Sequence, residues 1–188
     1  MATFPNEFWL DPDSAVVSRI ENAVGITHSY EFKSSMQSVF DAFHNAQDYS
    51  AFSSSLNSIL DNGETNIGSD LEFYSLAMGI SIAKQSYAYW TNPTNIEAWE
   101  NFLDSHSTNS IQSNSLKVKI NRLNSDVEKM AIADAAGAFR GGILGGTVGS
   151  LGGPAGTAAG VIGGALYTGV EASFFAGAYR LAKRIFGW

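Results

Sequence analysis

Gly137-Ala-Phe-Arg-Gly141-Gly-Ile-Leu-Gly145-Gly-Thr-Val-Gly149-Ser-Leu-Gly-Gly153 runs directly into Pro154-Ala-Gly156-Thr-Ala-Ala-Gly160-Val-Ile-Gly-Gly164, so glycine returns at every fourth residue. A helix places i and i+4 on one face. Gly137, Gly141, Gly145, Gly149 and Gly153 would therefore line one groove without side chains, and Gly152, Gly156, Gly160 and Gly164 a second. Glycine costs roughly 1 kcal/mol against alanine in a helix interior. A run this dense needs close backbone packing to offset it, as small-xxx-small motifs provide inside membranes.

Leu151-Gly152-Gly153-Pro154 reads as a turn between two helices, with glycines ending the first and Pro154 at the first position of the second. The expected arms are residues 131–151 and 154–185. A flexible glycine linker is the alternative, but Ile143, Leu144, Val148, Leu151, Val161, Ile162 and Leu166 interleave the glycines with apolar weight.

Upstream the chain reads as a helical body over residues 1–130. Met36, Val39, Phe40 and Phe43 mark one face of a helix over 34–43, and Tyr49, Phe52, Leu56, Ile59 and Leu60 another over 48–60. Asp61-Asn62-Gly63 is expected to stop the latter. Ser69 and Asp70 can cap a helix through Leu71, Phe73, Leu76, Ile80 and Ile82 to Trp90; apolar on most sides, it is the expected central helix of the body. Asn92-Pro93 breaks it. A short helix with Ile96, Trp99, Phe102 and Leu103 inward should begin at Thr94, with Glu97 completing a capping box. Residues 106–115 read as a polar loop. Residues 116–130 alternate at first, then space Ile120, Leu123, Val127 and Met130 as a helix does, so an amphipathic helix is favoured over a strand start. Residues 3–31 suggest an irregular N-terminus and one short helix. The fold class expected is all-α: a helical bundle body (1–130) with a C-terminal glycine-rich helical hairpin (131–188).

Charge divides the same way. Residues 1–130 carry net −9 and residues 131–188 net +2. The acidic body argues against nucleic acid, while Arg180, Lys183 and Arg184 suit an anionic membrane surface or a helix C-terminus. From Gly141 to Val170, thirty residues pass without a charge. Pro154 splits that run, leaving arm one 13 residues after Arg140, roughly 20 Å of helix against a hydrocarbon core of ~30 Å. Extending the arms brings in Asp134, Arg140 and Glu171, and a charge at midplane costs roughly 2.5–3.5 kcal/mol. A conditional insert, sheathed in water by the amphipathic body helices and released at a membrane, fits these numbers better than a constitutive span. A permanently buried soluble core is the other alternative.

The segment from Asp134-Ala-Ala-Gly-Ala-Phe-Arg-Gly-Gly-Ile-Leu-Gly-Gly through Gly163-Gly164 resembles the glycine-zipper segment of bacteriocin-like bacterial peptides. It is also similar to the tails of small uncharacterised exported bacterial proteins whose helical bodies carry a stretch like Ser81-Ile82-Ala83 and Tyr89-Trp90. The resemblance covers residues 70–170 loosely and the glycine ladder closely. It implies membrane permeabilisation, a secreted or membrane-associated location, and a leader peptide. Residues 1–10 have neither the basic nor the apolar region of a signal peptide, so the expectation is either a protein that stays inside or a mature form.

Catalytic patterns are missing. There is no cysteine, and His28, His44 and His106 stand apart without metal-ligand spacing. His44 reads as a surface residue. Asp11-Pro12-Asp13 lacks the further oxygen ligands of a calcium loop, the glycines lack the Gly-Lys-Ser/Thr of a P-loop, and Ser53-Ser54-Ser55 reads as a solvated face. Tyr87, Tyr89, Trp90 and Trp99 fit core packing better than an interfacial belt, while Phe186-Gly187-Trp188 fits either a membrane interface or docking on the body. The reading is a non-enzymatic, membrane-directed helical protein without cofactor, its partners membrane lipid and a homo-oligomeric copy. A soluble self-assembly protein using the hairpin as a close-packed interface is the alternative.

Overall fold

A computed structural model describes residues 16–25, 27–95, 97–98, 101 and 116–186, with residues 16, 19, 21, 23, 116–128 and 170–186 described by their backbone alone. The described residues are helical with no strand: α1 (Val16–Val24), α2 (Tyr30–Asn45), α3 (Tyr49–Asn66), α4 (Asp70–Thr91), α5 (Leu116–Gly149) and α6 (Gly153–Phe186), the last two joined by a 3-10 turn (Ser150–Gly152). The chain is an all-α bundle with a C-terminal helical hairpin. Local chemistry sets the starts. Ser29, Asp48 and Ser69 are the N-caps of α2, α3 and α4, their side chains accepting from the amides of Phe32, Ala51 and Glu72. Gly153, at φ +76°, makes the reversal between the arms in a conformation that side chains rarely adopt.

Two expectations need correction. Gly63 does not end α3, which continues to Asn66. Leu76 of α4 packs over it so closely that a Cβ there would lie 2.4 Å from Leu76 Cδ2. The glycine is a notch for a neighbour, and that contact overrides its weak helix propensity. The central helix is not α4, which leaves Ser81, Gln85 and Tyr89 in solvent. It is α5, buried on every side from Ala131 to Phe139 and touched by α1, α2, α4 and α6. Alanine and glycine let helices approach it from all directions.

Residues 116–130 are helical and continue unbroken into the glycine segment within α5. One apolar cluster takes residues from both sides of position 130, including Phe32, Met36, Phe40, Leu56, Leu76 and Ile80 from the first part and Ile132, Phe139 and Ile143 from the second. Phe139 is its hub, edge-on to Phe32 at 6.4 Å and to Phe40 at 5.8 Å. Its ring fills the notch at Gly79 of α4, where a Cβ would meet the ring at 2.4 Å. Tyr87 stacks on Phe52 at 4.4 Å and Trp90 is buried, so both serve packing, whereas Tyr89 is exposed. Residues 93–95 wind helically after Asn92, but Ile96, Trp99, Phe102, Leu103, the 106–115 loop, Asp11, Asp13 and Trp188 lie outside the described residues.

Gly79→Ala should destabilise the fold by about 1–3 kcal/mol, the usual range for overpacking a filled core. Urea unfolding measures it. Phe139→Leu in the same chain should recover part of the loss through pairwise coupling.

Candidate functional site

The glycines of α5 and α6 meet backbone to backbone. A Cβ built on Gly141 would stand 2.1 Å from the carbonyl oxygen of Gly164; on Gly145, 2.1 Å from that of Gly160; and on Gly149, 2.2 Å from that of Gly156. The reverse distances are 2.0, 2.2 and 2.4 Å. Each pair lies four residues further along one arm and four residues back along the other, the register of two antiparallel helices with no side chain between them. At the next step a threonine takes the place of glycine. Thr168 Oγ1 donates to the Gly137 carbonyl at 2.6 Å and lies 2.9 Å from its own Gly164 carbonyl, bridging the arms. Gly153 sits in the turn, and Gly152 has open space around its Cα.

A second groove lies beside the first. A Cβ on Gly146 would clash with Leu71 Cδ1 at 2.3 Å and Val161 Cγ2 at 2.4 Å, and one on Gly142 would lie 3.5 Å from Ser75 Oγ. The doublets Gly141-Gly142 and Gly145-Gly146 explain this. Adjacent residues sit about 100° apart on a helix, so a doublet repeated every fourth residue clears two faces, one for the α6 backbone and one where α4 meets Val161 of α6. The four-residue ladder alone did not reveal the second groove; the doublets were its signal.

Among the hairpin charges, Asp134 is buried and accepts hydrogen bonds from Ser86 Oγ and from Trp90 Nε1, both on α4. A buried carboxylate is tolerated only when donors satisfy it. Arg140 is half-buried, and the Glu171 side chain lies outside the described residues. A second buried polar cluster gave no signal in the sequence. Glu72 accepts from the Ser29 amide at 2.8 Å and from Ser29 Oγ at 2.6 Å, and His28 Nδ1 lies 3.4 Å from it. His28 is thus an interior partner of α4, while His44 is exposed on α2. The cluster ties the start of α2 to the start of α4. The Ser29 hydroxyl donates to the Glu72 carboxylate and accepts from the Phe32 amide, which fits a role in capping α2. Among the described residues no group of His, Asp and Glu could hold a metal.

What remains open is the outer side of α6 and the turn. Leu151 is 93% exposed, Val148 72%, Tyr167 71%, Leu166 52% and Ile162 46%. No described helix is long and apolar enough to cross a membrane. Set against protein-family models, curated proteins and solved structures, the chain matches none of them.

Gly145→Ala should destabilise the protein by about 1–3 kcal/mol or more, because rigid backbone faces the new methyl. Gly163→Ala, adjacent to seam residue Gly164 but with nothing within 4 Å of its Cβ position, should be stabilising by about 0.5–1 kcal/mol. Thermal unfolding of the pair separates close packing from helix propensity; equal shifts would remove the packing argument.

Proposed function

We propose that this is a non-enzymatic, membrane-directed helical protein whose glycine hairpin engages lipid. One observation carries the reading: the charge-free run from Gly141 to Val170 folds into a hairpin that presents Val148, Leu151, Ile162, Leu166 and Tyr167 to solvent. Scattered exposed apolar residues are ordinary, but a contiguous apolar patch on one element marks an interaction surface. Hydrocarbon is the partner that an uncharged surface of this kind suits. The resemblance to bacteriocin-like peptides points the same way and adds permeabilisation and export to the proposal.

The same patch supports the second reading, self-assembly, since Ile162 and Leu166 recur at helical spacing on an uncovered face. The readings separate in plain buffer, where an assembly protein forms a defined oligomer and a membrane-directed one stays monomeric until it meets lipid.

Deleting the hairpin is a poor test, because Phe139 and Ile143 belong to the core. Exposed positions serve better. Val148→Asp and Leu151→Asp should leave thermal unfolding nearly unchanged. Each should reduce dye release from phospholipid vesicles about tenfold or more, given the cost of a charge at membrane depth. Unchanged release from both variants would sink the membrane reading of the hairpin.

A further inference from the structure

The hairpin does not project from the middle of the body. Leu71, in the first turn of α4, covers Gly146, so the α4 N-terminus marks how far that helix reaches along α5. From Gly146 to the Gly152-Gly153 turn the hairpin continues for about 10 Å at the helical rise per residue. Over this stretch Thr147, Val148, Ser150, Leu151, Gly152, Gly153, Pro154 and Ala155 are exposed, with no charge among them. A projection of about 10 Å matches the depth at which apolar elements lie in one leaflet, at the boundary of headgroups and acyl chains.

Three helix ends lie at the same end of the bundle as the base of that projection. The Glu72–Ser29 hydrogen bonds bring the start of α2 to the start of α4. The contact of Gly63 with Leu76 brings the end of α3 to the same side. Each end carries an exposed acid: Glu31 on α2, Glu64 on α3 and Asp70 on α4. Lys33, half-buried, is the basic residue nearest to them in α2. The basic residues Arg180, Lys183 and Arg184 are on the far part of α6, about 40 Å along the helix from Pro154. The apolar tip therefore shares its end of the bundle with three exposed acids, Glu31, Glu64 and Asp70, while the basic residues of the hairpin lie toward the other end of α6.

We propose that the folded protein docks tip-first, as far as the headgroup–acyl boundary of one leaflet, on bilayers of low surface charge, and that the collar of Glu31, Glu64 and Asp70 disfavours anionic lipid. This rests on the membrane reading and reverses the lipid preference that the basic C-terminus alone suggests. The collar stands about one Debye length behind the tip at physiological salt. Discrimination is modest there and grows as salt is lowered.

The chain has no cysteine, so single cysteines at positions 148, 151, 162 and 167 can carry an environment-sensitive fluorophore in the full-length protein. On pure phosphatidylcholine vesicles the expected blue shift is large at 148 and 151, smaller at 162 and nearly absent at 167. Binding to vesicles of equal phosphatidylcholine and phosphatidylglycerol at low salt should be about tenfold weaker or more. The triple variant Glu31→Gln, Glu64→Gln, Asp70→Asn should lose that difference while still binding phosphatidylcholine. Three outcomes overturn the proposal: equal shifts at all four positions, which describe a helix lying flat; tighter binding to the anionic vesicles; or a dimer in buffer that Leu151→Asp dissolves, which gives the tip to a second copy. Failure to bind either vesicle removes the membrane reading itself.

Discussion

Where the two long helices cross, the carbonyl oxygen of Gly160 stands 2.1 Å from the place a Cβ on Gly145 would occupy, and the reciprocal contact is as close. No other residue can satisfy that geometry at either position. The contact repeats at Gly141 with Gly164 and at Gly149 with Gly156, which locks the arms in register. Sliding α6 by one residue would drive Val161 or Ala165 into the α5 backbone. The register fixes the position of the turn, and the turn fixes how much of the hairpin extends past α4.

Such a seam contributes little hydrophobic burial of its own, since glycine has no side chain to bury. The weight is carried beside it. Phe139 and Ile143 of α5 enter the apolar cluster of α2, α3 and α4, while the glycines between them keep α4 and α6 close. α4 is also held by polar groups at both ends: Glu72 to the α2 N-cap, and Ser86 and Trp90 to Asp134. Burying a carboxylate costs several kcal/mol unless donors surround it. Both are supplied with donors by residues more than forty positions away. These bonds specify which helix lies against which.

The hairpin is therefore both a structural centre and a surface. Its first arm is enclosed from Ala131 to Phe139 and emerges at Thr147 and Val148. From Pro154 to Gly169 its second arm packs on α5 and α4, and among the described residues nothing covers the uncharged outer face that carries Ile162, Leu166 and Tyr167. That uncharged apolar surface, outside the core, is the feature on which the proposed membrane role rests.

Much of this was legible in the residues. Helical periodicity located α2, α3, α4 and the start of α5; Ser69 announced a cap; Gly152-Gly153-Pro154 announced the reversal; and the four-residue glycine period announced two grooved helices. All of these are local, because cap chemistry, φ preference and the helical repeat act within a few residues. The sequence could not say that Gly63 would be a notch for Leu76 and not a stop, that α5 would displace α4 from the centre, or that His28, Ser29 and Glu72 would meet across 43 positions. Nor could it say which helix the second groove would face. A helical repeat fixes which residues share a face, but not what that face meets; that is decided only when all the helices compete for the same core.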